Sequence, residues 1–228
     1  MRKFAEQSWE FWVTPERLQA HFSRADGTFY FARWTRAIAP VVFGVNDETL
    51  PVIKGAIEAV ARLAGHDIVE TDPEMGANLM MFFVADWSEL TGVPDLEHLV
   101  PELADIVPKL GKQKAHQYRI FRFEPDGSIR AAFVFLRMSG AMAEMSAHSL
   151  ALSQAVQVIL SWGQGAFAET SPLGRDTQSG EDVLRPEIAA LVRAGYDPIL
   201  PASSADASFG LRLFARHQQI MADPGGRA

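Results

Sequence analysis

Six consecutive apolar residues, Leu79-Met80-Met81-Phe82-Phe83-Val84, set the first constraint on the fold. The run is too short to cross a membrane as a helix, and as a strand it has no polar side to turn to water. It therefore predicts a strand over 78–84, entered through Met75-Gly76-Ala77 and covered on both faces. A second pattern fixes the kind of sheet. His116 to Phe123 alternates Gln117, Arg119 and Arg122 with Tyr118, Ile120, Phe121 and Phe123; Pro125-Asp126-Gly127 follows, and Ile129 to Leu136 is apolar again. Two strands joined by so short a turn are antiparallel, so the sheet is expected to be mixed.

Other segments supply the helices. Ile53, Ala56, Ile57, Val60, Leu63 and Ala64 recur at three and four residues, with Asn46-Asp47 before them and Gly65 after, and Lys54, Glu58 and Arg62 form the opposite face. Ser146 to Ser161 reads as a helix that buries Leu150, Leu152, Ala155, Val156, Ile159 and Leu160 and displays Ser149, Ser153, Gln154 and Gln157. Shorter helices are expected over 185–194 and 207–221. Pro94, Pro101 and Pro108 divide 87–110 into short pieces. Phe29 to Val45 reads as extended chain in which Pro40 marks an edge position or a strand start. The stretch 163–180, with four glycines, reads as a loop. The expected organisation is an aromatic-rich helical segment over 1–28 in which Thr14-Pro15 starts a helix, one α+β domain over 29–222 with a mixed sheet of about four strands, and a tail over 223–228.

Composition narrows the function classes. With 48% apolar residues the chain can build a core, and with no cysteine it has no disulfide framework, thiolate-bound metal or cysteine nucleophile. A net charge of −7, from 28 acidic and 21 basic residues, opposes wide nucleic-acid binding. Met1-Arg2-Lys3 is followed by Glu6 and Glu10 without an apolar stretch, which does not read as a secretory signal, and a cytoplasmic location is expected. No integral membrane span is expected either.

Few residues suggest chemistry. The six histidines form no pair at metal-binding spacing, and Glu144 with His148 reads as a surface pair or cap. The Gly-x-Gly-x-x-Gly, Walker and Gly-x-Ser-x-Gly patterns do not occur. Asp67, Glu70, Asp72 and Glu74 read as a solvated connection, with a cation site as the alternative. Arg33, Trp34 and Arg36 offer a cation–π or anion-binding group against plain packing. Phe4, Trp9, Phe11 and Trp12 form either a contact surface for a partner or a membrane, or a helix covering the domain, with Glu6 and Glu10 disfavouring anionic lipid.

Arg33-Trp34, then Gly76-Ala77-Asn78-Leu79, then Leu191-Val192-Arg193-Ala194-Gly195-Tyr196-Asp197-Pro198, in that order over about three-quarters of the chain, resemble the proteobacterial domain of unknown function 2927 family. The resemblance implies a layout like that of zincin metallopeptidases. It also implies that the helix after the hairpin carries Glu-Glu-x-x-Gln where a zincin carries His-Glu-x-x-His. Here that segment is Ser153-Gln154-Ala155-Val156-Gln157. Hydroxyl and amide oxygens are poor zinc ligands, and an amide has no proton equilibrium for general-base work, so zinc hydrolysis is disfavoured. The typical members' export signal has no counterpart in this sequence.

The resulting expectation is a non-catalytic α+β protein with no metal and no cofactor. It acts through a protein partner or self-association, with Phe4, Trp9, Phe11 and Trp12 as contact residues. The alternative is a small-ligand-binding protein or a metal-independent enzyme whose site is built from Arg36, Ser153, Gln154 and Gln157.

Overall fold

The computed structural model describes residues 14–223. Thr14 caps a short helix, α1 (Pro15–Ala20), by accepting from the Arg17 amide, and the proline at its first turn has no N–H to leave unpaired. There follow β1 (Phe31–Ala32), β2 (Pro40–Phe43), α2 (Thr49–Ala64) and β3 (Leu79–Val84). A 3-10 helix (Trp87–Gly92), α3 (Leu96–Leu99) and α4 (Leu103–Lys112) lead to the hairpin of β4 (Gln117–Phe123) and β5 (Ile129–Arg137). Next come α5 (Ala141–Glu144), α6 (Ala147–Ile159), β6 (Leu173–Arg175), β7 (Asp182–Leu184), α7 (Pro186–Gly195), β8 (Ser203–Ser204) and α8 (Phe209–Ala222).

The fold is a single α+β domain around a mixed four-stranded sheet in the order β2-β3-β5-β4. β2, β3 and β5 run parallel, with Val41 opposite Met80 and Met80 opposite Phe133, and β4 pairs antiparallel with β5 at the edge. Pro40 both begins β2 and lies on an edge strand, the two places where its missing donor costs the ladder nothing. All six positions of β3 are buried. Alternation sends Leu79, Met81 and Phe83 into one cluster, with Ile53 and Ile57 of α2, Val156 of α6 and Leu191 of α7. It sends Met80, Phe82 and Val84 into a second cluster, with Trp87, Leu96 and Leu103 of the short helices. Truncating Phe133, 1% exposed at the middle of β5, would leave a void in the second cluster costing about 3–5 kcal/mol.

Helix limits follow local chemistry. Gly65 ends α2 in the left-handed region, φ 65°, and its N–H returns to the Arg62 carbonyl. The proline-divided stretch forms three short helical pieces, and Pro108 is accommodated inside the last of them, α4. Leu18 and Phe22, before residue 28, are buried in the main cluster beside Phe209 of α8. Two readings of the sequence need correcting. The stretch 163–180 is not loop throughout, because β6 lies in it and pairs with β7, and Phe167 packs edge-on against Trp162 with ring centroids 4.9 Å apart. Nor does α6 display Ser149 and Gln154, which are 8% and 2% exposed: Ser149 faces β7, its hydroxyl donating to Asp182 at 2.6 Å, and Gln154 faces β4.

Candidate functional site

Helix α6 is set by Ser146, whose hydroxyl accepts from the Ser149 amide at 3.1 Å. Its apolar stripe of Leu150, Ala151, Ala155 and Val158 faces the core, and Gln154 sits within it, aimed at β4. On β4, alternation turns Tyr118 and Ile120 toward the α4 side, and Gln117, Arg119 and Phe121 toward α6. Arg119 Nη2 donates to Gln154 Oε1 at 2.8 Å and to Gln117 Oε1 at 2.9 Å. Gln154 Nε2 donates to Gln117 Oε1 at 3.2 Å. The Arg119 Nε is sealed from solvent and has no partner. Burial pulls the guanidinium down to about 10, since desolvation disfavours the charged form.

Ser153 and Gln157, both half-buried, lie one turn apart and are joined to each other, Gln157 Nε2 donating to Ser153 Oγ at 3.0 Å. Residues 153–157 lie on α6, and their groups do not suit zinc. Ser153 and Gln157 bind one another, and Gln154 holds a guanidinium whose positive charge opposes a divalent cation. No group of three His, Asp or Glu side chains is placed to hold a metal ion among the described residues.

Arg36 is not brought to this site. Its guanidinium pairs with Asp72 at 3.2 Å, Glu74 at 3.0 Å and Glu124 at 2.7 Å. Glu124 follows the far end of β4, about 23 Å along the chain from Gln117 at roughly 3.3 Å per residue. Asp72 is 4% exposed and accepts from the backbone of Glu74 and Met75 as well as from Asn78, which makes the acidic connection an anchored turn. Trp34 is fully buried and donates from Nε1 to the Val158 carbonyl at 2.8 Å, while Arg33 lies over the Tyr196 ring at 5.5 Å. His148 bonds the Asp182 carbonyl. Phe4, Trp9, Phe11 and Trp12 lie outside the described residues.

Reading the sequence for sites passed over Arg119 and Gln117. The signal was present: Gln117, Arg119 and Phe121 fall on one side of an alternating strand, and an apolar residue on that side marks it as facing the core. Beyond Phe121 that face opens into a cleft of about 260 Å³ walled by Tyr30, Phe121, Phe123 and Trp162, with Arg24 stacked on Tyr30 at 4.3 Å. A separate open groove of about 820 Å³ between α2 and residues 65–70 is lined by charges of both signs, including Lys54, Glu58, Arg62 and Asp67. No helix among the described residues is long and apolar enough to cross a membrane. Compared with known protein families, curated proteins and solved structures, the chain matches none of them.

Proposed function

We propose that this protein works by binding rather than by catalysis, and that it binds at the face where β4 crosses α6. The observation that carries the reading is the Arg119–Gln154 pair. At the helix position where the resemblance would place a hydrolase's proton acceptor stands an amide, and that amide is committed to a guanidinium. Neither group exchanges a proton near neutral pH, whereas both are good at recognising oxygen and nitrogen groups in fixed geometry. The neighbouring aromatic cleft adds apolar surface to the polar end, the combination that ligand sites use.

The resemblance to the domain of unknown function 2927 family belongs to this reading as a proposal. It is supported by the hairpin-then-helix order of β4, β5 and α6. A cytoplasmic setting is proposed on the cysteine-free composition and is tested by fractionation. The expected partner or second copy held by Phe4, Trp9, Phe11 and Trp12 is tested by the light-scattering mass of wild type against Trp9→Ala with Trp12→Ala; a monomeric wild type that retains no cellular protein overturns it.

For the binding reading itself, purified wild type is incubated with a quenched-fluorescent peptide mixture, with and without added zinc. No turnover is expected under either condition. Turnover that persists through purification and is lost on Gln154→Ala would show a catalytic site and sink the proposal.

A further inference from the structure

The arginines of this protein are not alike in what they face. Arg36, Arg122, Arg130 and Arg216 each meet a carboxylate: Asp72, Glu102, Glu74 and Asp197 respectively. Arg119 meets only two neutral amides, and its Nε hydrogen has no acceptor. A half-buried guanidinium without a counter-charge is costly, and partial amide dipoles recover only part of the loss. The arrangement has the donors and the positive charge of an anion receptor, with amide oxygens standing where the anion's oxygens would sit.

Three further features bear on which anion fits. One positive charge surrounded by neutral groups balances one negative charge, so a monoanion suits it better than a dianion. A carboxylate matches the planar guanidinium fork with two parallel hydrogen bonds. Gln117 is exposed at the rim while Gln154 forms the floor, so Gln117 is the group a ligand displaces, and either amide can turn its N–H toward a bound oxygen. The next residue on that strand face is apolar. Phe121 follows Arg119 by two residues on the same strand face, about 7 Å along, and opens the aromatic cleft.

We infer that the Arg119 site binds the carboxylate of a small organic monoanion whose apolar body lies in the cleft beside Phe121. The inference rests on the proposed binding role of the α6–β4 face and names its ligand class. It also carries an internal test, because Gln154→Glu would supply the missing negative charge from within the protein.

The experiment titrates the full chain with 3-phenylpropionate, its uncharged amide and inorganic phosphate by calorimetry, with hydrogen exchange locating the effect. Wild type is expected to bind 3-phenylpropionate at least tenfold more tightly than the amide or phosphate, with protection along β4 and α6. Gln154→Glu is expected to melt several degrees higher than wild type and to lose at least tenfold in affinity for the carboxylate. Carboxylate and amide binding alike, phosphate binding as tightly, no binding of the carboxylate, protection confined to other elements, or a Gln154→Glu variant that melts lower than wild type would each overturn the inference. Peptide turnover would sink the non-catalytic reading without touching these titrations, and failed titrations would leave that reading standing.

Discussion

The Trp34 backbone N–H donates to the Tyr196 hydroxyl at 3.4 Å, across 162 residues of chain, and the same hydroxyl donates to the Ile159 carbonyl at 2.9 Å. One oxygen thus ties the connection before β2 to the end of α6 and the end of α7. Burial pushes the Tyr196 hydroxyl well above its usual range, so it stays protonated and able to donate at any ordinary pH.

Tyr196→Phe removes that oxygen without changing the ring. The Ile159 carbonyl and the Trp34 amide then lose a partner, and the expected cost is about 1–3 kcal/mol in urea unfolding with an unchanged slope. A change inside the roughly 0.5 kcal/mol spread of surface substitutions would show that water replaces the hydroxyl.

Asn78 performs a similar service between β2 and β3. Its Oδ1 accepts from the Ala39 N–H at 2.8 Å, and its Nδ2 donates to the Ala37 carbonyl at 2.9 Å and to Asp72 at 3.1 Å, all at 1% exposure. Asn78→Ala should cost about 2–5 kcal/mol, since several buried groups lose partners together. Asn78→Asp is the sharper test. It sets a second carboxylate beside Asp72, which raises the new group's folded pKa above its unfolded value. The loss should therefore be small below about pH 4 and grow as pH rises through the folded pKa. A pH-independent loss, read from denaturation at several pH values, would contradict this.

These two residues also show what could be read in advance. The apolar run of β3, the hairpin and the spacing of α2 were legible because burial imposes a period on neighbouring residues. Asn78 is legible as the start of a strand and Tyr196 only through the resemblance, since nothing local says that an amide at the start of β3 will meet Ala37, Ala39 and Asp72. Gln154 was misplaced for a related reason. On a helix, polar residues read as the wet face, and only the tertiary position of β4 turns that stretch inward. Arg36 was chosen for its neighbours in sequence, but its three carboxylates come from the 72–74 turn and the hairpin tip. The β6 strand escaped because its three residues are held by pairing with β7 and carry no alternation long enough to detect.

Two glycines are held by their surroundings, and one is not. Gly44 has φ +80°, and a Cβ there would overlap the Phe83 carbonyl oxygen; a Cβ on Gly163 would overlap the Ser23 carbonyl oxygen. Alanine at either site should cost about 2 kcal/mol or more, because backbone must move. Gly55, inside α2 with nothing within 4 Å of an added Cβ, should instead gain about 0.5–1 kcal/mol as alanine. Melting of the three variants side by side checks the contrast, and a destabilised Gly55→Ala would refute it.

His217 makes the stability depend on pH. It is 1% exposed on α8, its Nε2 faces the Glu187 carbonyl of α7 at 3.0 Å, and its Nδ1 is sealed without a partner. It lines a cavity of about 30 Å³ with His21, Arg185 and Glu187, so the titratable groups facing it there are one cation, one carboxylate and a second imidazole. Burial is the main cause that lowers the pKa of both histidines, so each is held neutral in the folded chain. The unfolded chain takes up these protons at higher pH than the folded one. Stability is therefore complete above the ordinary histidine pKa of about 6.5 and falls as pH drops toward the lowered folded values, below which no further loss comes from these groups. Urea unfolding of wild type should lose stability as pH drops below about 6.5, and His217→Gln, which cannot titrate and can still donate to the Glu187 carbonyl, should flatten that slope. An equal slope in wild type and in the His217→Gln variant would place the pH dependence elsewhere.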